Sequence, residues 1–237
     1  MNKRLEDWIN WILIDELKSG IINAPKHLLG NHDYGDGQVI MVYRPHAEKV
    51  CVVSPTGKNR DEMECLSDGV YGFYSAKKKY KGTKYRIETT YQDGTTVVTA
   101  DAYAFDSQIT DFDTYLFAEG KHYDVYEKFG AHPMTIDGVK GTYFAVWAPH
   151  ARRVSVVGDF NMWDGALNPM QMMQTSGIYE LFIPDVAPGA VYKYQILTRD
   201  GEILYKADPY GNQCQVRPDN ANVVADLTGY KWKDTGW

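Results

Sequence analysis

The sequence predicts a mainly β protein, in which two tandem immunoglobulin-like β-sandwiches are preceded by one N-terminal amphipathic helix. Runs that alternate apolar and polar residues, typical of half-buried strands, follow one another at short intervals and are separated by Asp-Gly and Pro-Gly turns. Apolar residues at helical spacing are scarce after residue 20. A long part of the chain also occurs twice, and its 237 residues are enough for two small domains.

The N-terminal segment, residues 1–22, is predicted to contain the helix. Its apolar residues recur every three or four positions, acidic residues stand in the first turn, and Gly20 can end the helix. These apolar residues are Leu5, Trp8, Ile9, Ile12, Leu13 and Leu17. The pattern predicts one amphipathic helix over residues 3–19, whose apolar face packs as a lid on the domain that follows.

The rest of the chain contains two copies of one pattern. Residues 45–53, Pro-His-Ala followed by a valine-rich strand, return as residues 149–157. Residues 82–103, which include an Asp-Gly hairpin turn, map without a gap onto residues 189–210. Two similar sandwiches in tandem are therefore expected.

The repeat divides the chain into a first sandwich over residues 23–110, a linker over 111–133 and a second sandwich over 134–237. The linker is unusually rich in large apolar residues, namely Phe112, Tyr115, Leu116, Phe117, Tyr123, Tyr126 and Phe129. Such a composition does not suit a flexible tether. We expect the linker to be ordered and packed against both sandwiches.

The two copies differ most after the strand that ends at Val53 in the first copy and at Val157 in the second. The first copy continues as Ser-Pro-Thr-Gly-Lys-Asn-Arg, whereas the second continues as Gly-Asp-Phe-Asn-Met-Trp-Asp-Gly. The second turn is rich in turn-forming residues and still carries two large rings. We expect Phe160 to anchor the turn in the core and Trp163 to contact a ligand.

An exposed planar ring beside hydrogen-bonding side chains suits a glucose polymer, which offers flat apolar faces and rims of hydroxyl groups. Trp163 supplies the ring, and Asn161, Asp164 and Lys193 supply the hydrogen-bonding groups. Lys193 lies between two tyrosines on a strand whose alternation places it on the opposite face from both. Two plainer interpretations stay open: Trp163 folds back onto the sandwich edge, and Lys193 is a solvated strand residue.

Composition argues against several classes of partner and location. The net charge of −6 disfavours general binding to nucleic acid or to an anionic membrane surface. The three cysteines, Cys51, Cys65 and Cys214, form no Cys-x-x-Cys pair and suggest no disulfide framework, which favours a reducing cytoplasm. No apolar run is long enough for a signal peptide or a membrane span.

Motifs for catalysis, cofactors and metals are not found in the sequence. There is no glycine-rich phosphate loop, no histidine or cysteine cluster at metal-ligand spacing, and no Gly-x-Ser-x-Gly nucleophile elbow. The 31 acidic residues include no pair that the sequence singles out for sugar hydrolysis. The basic run over residues 77–81 is interpreted as a solvated hairpin turn. We therefore expect no catalytic residue, no cofactor and no metal ligand.

A more specific pattern is carried by several stretches, namely residues 126–133, 144–149, 152–161, 192–194 and 206–210 together with Arg217-Pro218. With these residues the chain resembles the N-terminal part of bacterial glycogen branching enzymes, the 1,4-α-glucan branching enzymes of the α-amylase superfamily. The resemblance covers nearly the whole chain. It implies that the second sandwich is a carbohydrate-binding module of family 48 and the first is the extra N-terminal sandwich of bacterial members.

The resemblance also implies an activity and its partners. These enzymes, glycosyltransferases of glycoside hydrolase family 13, cleave an α-1,4 linkage and form an α-1,6 linkage on a (β/α)₈ barrel that follows the module. The sequence ends at Trp237 without that barrel, so no catalytic residue carries over and we expect a fragment that is inactive alone. The implied partners are α-glucan, such as glycogen or amylose-like chains, and the catalytic barrel.

For the binding site, the resemblance assigns glucan contact to Trp163 and Lys193. Ile203 stands where related starch-binding modules carry a second ring, and Tyr205 is the expected substitute. Three functions stay open on the sequence alone. They are the glucan-positioning region of a branching enzyme, a stand-alone glycogen-targeting regulatory module, and a pair of structural sandwiches that brace the barrel without binding sugar.

Overall fold

The structure, a computed structural model, describes residues 2–229 and residue 236. The described residues form a mainly β protein, as the sequence predicted. The helices are α1 (Lys3–Trp8), α2 (Trp11–Lys18) and α3 (Asp111–Ala118). The remaining residues of the predicted second sandwich, 230–235 and 237, lie outside the described part.

Eight strands build the first sandwich. They are β1 (Gly30–Tyr34), β2 (Gly37–Tyr43), β3 (Ala47–Val53), β4 (Arg60–Glu62), β5 (Glu64–Ser67), β6 (Val70–Ser75), β7 (Arg86–Tyr91) and β8 (Thr96–Thr99). One sheet has the order β1-β2-β6-β5 and the other the order β4-β3-β7-β8, and the paired strands are antiparallel. Alternating residues from the two sheets meet in a core that includes Ile40, Val50, Val52 and Ile87.

Within the described residues, eight further strands build the second sandwich. They are β9 (Gly130–Ile136), β10 (Val139–Trp147), β11 (Ala151–Gly158), β12 (Gln171–Met172), β13 (Ile178–Pro184), β14 (Val191–Thr198), β15 (Ile203–Lys206) and β16 (Asn222–Val223). One sheet has the order β12-β13-β10-β9, and the other has the order β11-β14-β15 with β16 also paired to β14. The core between them is lined by Phe144, Val154, Val156 and Leu181.

The predicted N-terminal helix is present as two short helices rather than one. Asn2 caps α1 by accepting from the Arg4 N–H, and Asn10 caps α2 by accepting from the Ile12 N–H. Asparagine is a poor residue inside a helix and a good N-cap, so the helix restarts at residue 10. The buried residues Leu5, Ile9, Ile14 and Leu17 pack on the first sandwich together with Val39 and Met41, which gives the lid that the apolar pattern predicted.

The linker segment forms α3 and a 3₁₀ turn, Val125–Glu127. Phe129 is buried in a cluster on the outer side of β10 and β13, and Phe117 packs against it at a ring-centroid distance of 5.1 Å. The other linker rings, Phe112, Tyr115, Tyr123 and Tyr126, are exposed. The buried linker rings thus cover one face of the second sandwich.

The two sandwiches meet along the β12 edge of the second one. Met172 N–H donates to Asn23 C=O at 2.8 Å, and Tyr103 Oη donates to Pro169 C=O at 3.1 Å. Farther along, Thr83 Oγ1 donates to Asp137 Oδ2 at 3.0 Å. Several separate hydrogen bonds therefore connect the two sandwiches.

Candidate functional site

The turn after β11 is built on a strained backbone. A single 3₁₀ turn over Asp159–Asn161 is followed by two residues in the left-handed region, Met162 at φ 55° and Trp163 at φ 59°. Consecutive non-glycine residues in this region are unfavourable, so surrounding contacts must hold them. One such contact is the bond from Trp163 N–H to Gly158 C=O, at 2.9 Å.

Asn161 holds the turn from inside, which differs from the predicted contact with glucan. Only 5% of the residue is exposed. Its Oδ1 accepts from Gly158 N–H at 2.9 Å, and its Nδ2 donates to Val156 C=O at 2.9 Å and to Asn168 Oδ1 at 2.8 Å. Because these bonds occupy both ends of the amide, Asn161 shapes the turn from a buried position.

The two rings of the turn point in different directions. Phe160 packs on Phe144 with the ring centroids 6.4 Å apart, so the prediction that it anchors the turn in the core is confirmed. Trp163 is partly exposed. Its Nε1 donates to Asp159 Oδ1 at 2.8 Å, which orients the indole. The sequence-predicted ring is therefore held at the surface rather than sealed in the core.

Lys193 lies on the outer face of the sheet, beside the strand that ends in the turn. It pairs with Val157 across β11 and β14, and its neighbours Tyr192 and Tyr194 are buried in the core, as the alternation predicted. Its Nζ donates to Asn220 Oδ1 at 2.5 Å. Asn220 lies 27 positions later in a loop, and no local pattern in the sequence pointed to it.

Tyr205 extends the same outer face onto β15. It lies opposite Gln195, its hydroxyl accepts from Gln195 Nε2 at 2.9 Å, and half of the residue is exposed. Since Lys193 and Gln195 are two residues apart on β14, Lys193 and Tyr205 are diagonal neighbours, about 7–8 Å apart. Lys193, Asn220 and Tyr205 thus share the outer face of this sheet, and Trp163 stands in the turn that follows the neighbouring strand β11; we call these four residues the outer-face site.

The buried guanidinium of Arg153 connects the turn to β14, the strand that carries Lys193. Arg153 is 4% exposed and donates to Gly165 C=O at 3.1 Å and to Gln195 Oε1 at 2.5 Å. Burial lowers the pKa of Arg153, whereas Asp164 and Tyr205 raise it. A Cβ on Gly165 would lie 1.9 Å from Gln195 Oε1, so only glycine lets the turn approach the sheet here.

Asp164, the remaining predicted contact, lies on the other side of the turn. It is exposed, its Oδ1 accepts from Ala166 N–H at 2.8 Å, and it lines the cleft between the two sandwiches. The predicted contact residues therefore lie in three places. Trp163, Lys193 and Tyr205 belong to the outer-face site, Asp164 lines the cleft between the sandwiches, and Asn161 is buried inside the turn.

Two known families match separate parts of this chain. Residues 10–103 match the model of the alpha-1,4-glucan branching enzyme GlgB N-terminal domain. Residues 128–211 match the model of carbohydrate-binding module 48, the isoamylase N-terminal domain. The first sandwich is thus similar to a GlgB N-terminal domain and the second to a carbohydrate-binding module 48. The outer-face site belongs to the second sandwich, the one matched by the module 48 family.

Relatives that match most of this chain are themselves much longer. The protein named 1,4-alpha-glucan branching enzyme GlgB from Synechocystis sp. is 45% identical over 215 residues, which are 89% of this chain and 27% of that protein. The protein of the same name from Nitrosococcus oceani is 39% identical over 226 residues, 94% of this chain and 30% of its own length. The chain thus spans less than a third of these relatives.

A solved pullulanase from Anoxybacillus sp. LM18-11 is also similar, at 19% identity over 84% of this chain and 28% of its own, with a TM-score of 0.35. Within residues 2–229, no helix is long and apolar enough to cross a membrane. The same described part contains no cluster of three or more histidine, cysteine or acidic side chains placed to hold a metal ion.

Proposed function

We propose that this chain binds α-glucan through the outer-face site and serves as the glucan-positioning region of a 1,4-α-glucan branching enzyme. In the whole enzyme, the region would hold glycogen or amylose-like chains near a catalytic barrel that cuts α-1,4 and forms α-1,6 linkages. We further propose a cytoplasmic location and no nucleic-acid partner, in line with the acidic composition. The names of the relatives and the module 48 match support this proposal.

The observation that carries the proposal is that a surface indole and a cation stand at the same end of the paired strands β11 and β14, since the turn with Trp163 follows β11 and Lys193 pairs with Val157. The Asp159 bond fixes the Trp163 ring, and Lys193 is held toward Asn220 rather than left to extend into solvent. The flat ring can stack on the apolar face of a glucose unit, while Nζ and the amide can bond its hydroxyls. Little reordering is needed on binding, because these side chains already have partners.

The expected affinity for one chain end is low. By analogy with ring stacking on nucleic-acid bases, one aromatic platform contributes on the order of 1–3 kcal/mol. A branched polymer offers many equivalent chains, so repeated weak contacts add to useful retention. A weak site of this kind suits positioning, because the polymer must also be released.

The deciding experiment is affinity electrophoresis in gels that contain glycogen or amylopectin. Trp163→Ala should raise the apparent dissociation constant by about 5- to 150-fold, the equivalent of 1–3 kcal/mol. Trp147→Ala is the matched control, because this second tryptophan is 50% exposed and its Nε1 also donates within the chain, to Ser176 C=O. It should migrate like the wild type.

Two results would count against the proposal. If wild type and Trp163→Ala migrate equally in gels with and without polysaccharide, the sandwiches brace the rest of the enzyme without binding sugar. If Trp147→Ala abolishes retardation and Trp163→Ala does not, the site lies elsewhere. The chain alone should form no α-1,6 branches on amylose, which iodine staining checks.

A further inference from the structure

A cleft among the described residues lies between the two sandwiches. It encloses about 760 Å³, within the range of ligand-binding clefts. The first sandwich contributes residues around Tyr43 and Tyr103, and the second contributes Met162 and Asp164 from the turn. The outer-face site is separate from it, since neither Trp163 nor Lys193 lines the cleft.

The walls of the cleft combine rings with hydrogen-bond acceptors. Tyr43 and Tyr103 give it partly exposed aromatic surface. Three exposed carboxylates, Asp68 from the first sandwich and Asp164 and Asp185 from the second, line the cleft together with Arg44 and His46. Carboxylates accept strong hydrogen bonds from hydroxyl groups, and their excess repels a phosphorylated or acidic ligand.

The two sandwiches are joined by hydrogen bonds beside the cleft. Tyr103 lines the cleft and donates to Pro169 C=O of the second sandwich at 3.1 Å. Arg44 donates to Tyr43 C=O at 2.8 Å, so the guanidinium is held at the wall. A ligand would therefore meet surfaces whose relative position is largely set.

We propose that this cleft is a second α-glucan site, built jointly by the two sandwiches. The aromatic walls suit the apolar faces of glucose units, and the carboxylates suit their hydroxyl rims. The choice of α-glucan as the neutral polyhydroxyl ligand rests on the function proposed above, whereas the cleft itself does not. The same turn would then present Trp163 to one glucan segment and Asp164 to another.

The test is an NMR titration of the ¹⁵N-labelled chain with maltohexaose. The wild type should show shifts of the Asp68 and His46 amides in the first sandwich and of Asp185 in the second, apart from shifts near Trp163 and Lys193. The double variant Asp68→Ala, Asp185→Gly removes one acceptor from each wall. Glycine suits position 185 because its φ is 63°.

The double variant should weaken binding at the cleft by roughly 10-fold or more, since each lost bond involves a charged acceptor. It should leave the shifts near Trp163 unchanged, whereas Trp163→Ala should abolish those and leave the cleft shifts. If the double variant loses amide dispersion, the pair Asp68→Asn, Asp185→Asn repeats the test with the side-chain volumes retained.

The outcomes separate the two proposals. Shifts confined to the second-sandwich turn, with none at His46 or Asp68, would overturn the cleft site and leave the outer-face site standing. Shifts at the cleft alone would support the cleft and count against the outer-face site. No shift anywhere with maltohexaose at millimolar concentration would overturn both.

Discussion

The two halves of the chain share more of their structure than the repeated strands alone indicate. Each sandwich is preceded by a helix, α2 or α3, and two residues after the helix comes a glycine of positive φ, Gly20 at 66° or Gly120 at 67°. A 3₁₀ turn follows, Pro25–His27 in the first half and Val125–Glu127 in the second. The segments that the sequence divided into an N-terminal helix and a linker are therefore the same part of the repeat.

The frame of each half also depends on the same buried bonds. Tyr85 Oη donates to Asp101 Oδ2 at 2.6 Å, and Tyr192 Oη donates to Asp208 Oδ2 at 2.8 Å. In both halves the other carboxylate oxygen accepts a backbone N–H two residues later. Burial raises the pKa of both aspartates, and these hydrogen bonds oppose the rise.

The halves differ at one strand residue and in the segment that covers it. Tyr71 and Tyr179 are equivalent, because their hydroxyls bond the carbonyls of Ala47 and Ala151. The next residue is Gly72 in the first half and Glu180 in the second. Helix α1 packs closely over the glycine, whereas hydrogen bonds to residues 107–109 cover the glutamate. The two halves therefore share their buried hydrogen bonds and differ in their covering segments and turns.

The largest expected effect is at the buried glutamate. Glu180 accepts from Tyr143 Oη at 2.5 Å, from the Gln108 and Ile109 N–H groups at 3.1 and 3.2 Å, and from Ser107 Oγ. Glu180→Ala leaves these buried donors without an acceptor and should lower the free energy of unfolding by about 3–5 kcal/mol. Urea unfolding followed by circular dichroism measures it.

The equivalent change in the first half is the control for this prediction. A Cβ at Gly72 would meet only side-chain ends, Leu66 at 2.8 Å, Met41 at 2.9 Å and Leu5 at 3.1 Å. Gly72→Ala should therefore cost about 1 kcal/mol. Equal losses for the two variants would show that the coverings are energetically alike and would break the comparison.

An intermediate effect is expected at the glycines that begin the first strand of each half. Gly30 and Gly130 have φ of 103° and 107°, and a Cβ would lie 2.6 Å from Tyr103 O in the first half but 3.0 Å from Tyr210 O in the second. Gly30→Ala should cost about 2–4 kcal/mol, because backbone strain and a backbone clash add. Gly130→Ala should cost less, about 1–3 kcal/mol.

Hydrogen exchange of the amides in β2 and β10 resolves the two halves. Gly30→Ala should accelerate exchange in β2 more than Gly130→Ala accelerates it in β10. If Gly130→Ala accelerated exchange more than Gly30→Ala, the contact around Gly130 would be the more rigid one despite its longer distance of 3.0 Å.

The smallest effect concerns the helix caps. Asn10 caps α2 without a titratable group, whereas α3 begins with a capping box between Thr110 and Asp113. Burial acts to raise the pKa of Asp113, but bonds from Thr110, His122 and the nearby Lys128 outweigh it and lower that pKa to about 2. An acid with a depressed native pKa stabilises the fold above its unfolded pKa of about 3.9.

That stabilisation should be lost as the pH falls from about 4 through 2. Asp113→Asn should therefore lower the free energy of unfolding by about 1–2 kcal/mol at pH 7, a value reduced for solvent screening, and by little at pH 2. Calorimetry of wild type and variant across this range measures the difference. A difference that stays constant down to pH 2 would assign the effect to lost helix contacts rather than to the charge.

Much of the fold was predictable because it depends on local pattern. The alternation around Lys193 predicted that this side chain lies on the other face of the sheet from Tyr192 and Tyr194, and the structure agrees. The repeat identified two similar sandwiches. The division of the helix at Asn10 was missed because apolar spacing continues through a residue that prefers a cap.

The candidate site was only partly predictable. The sequence singled out Trp163, Lys193 and Tyr205 but interpreted Asn161 as a ligand contact, since a polar residue in a turn is usually exposed. Its inward orientation follows from three bonds to backbone and side-chain atoms that the turn brings around it. Asn220 was missed because only the path of a distant loop places it beside Lys193.

The sequence by itself determined which segments are strands, which face of each strand is apolar, and where the two copies differ, because periodicity and turn chemistry act over a few residues. Only the tertiary structure decided that a cleft opens between the sandwiches and that Asp164 lines it while the adjacent Trp163 does not. The physical reason is that such surfaces arise from residues far apart in sequence, whose meeting depends on how whole sheets and loops pack.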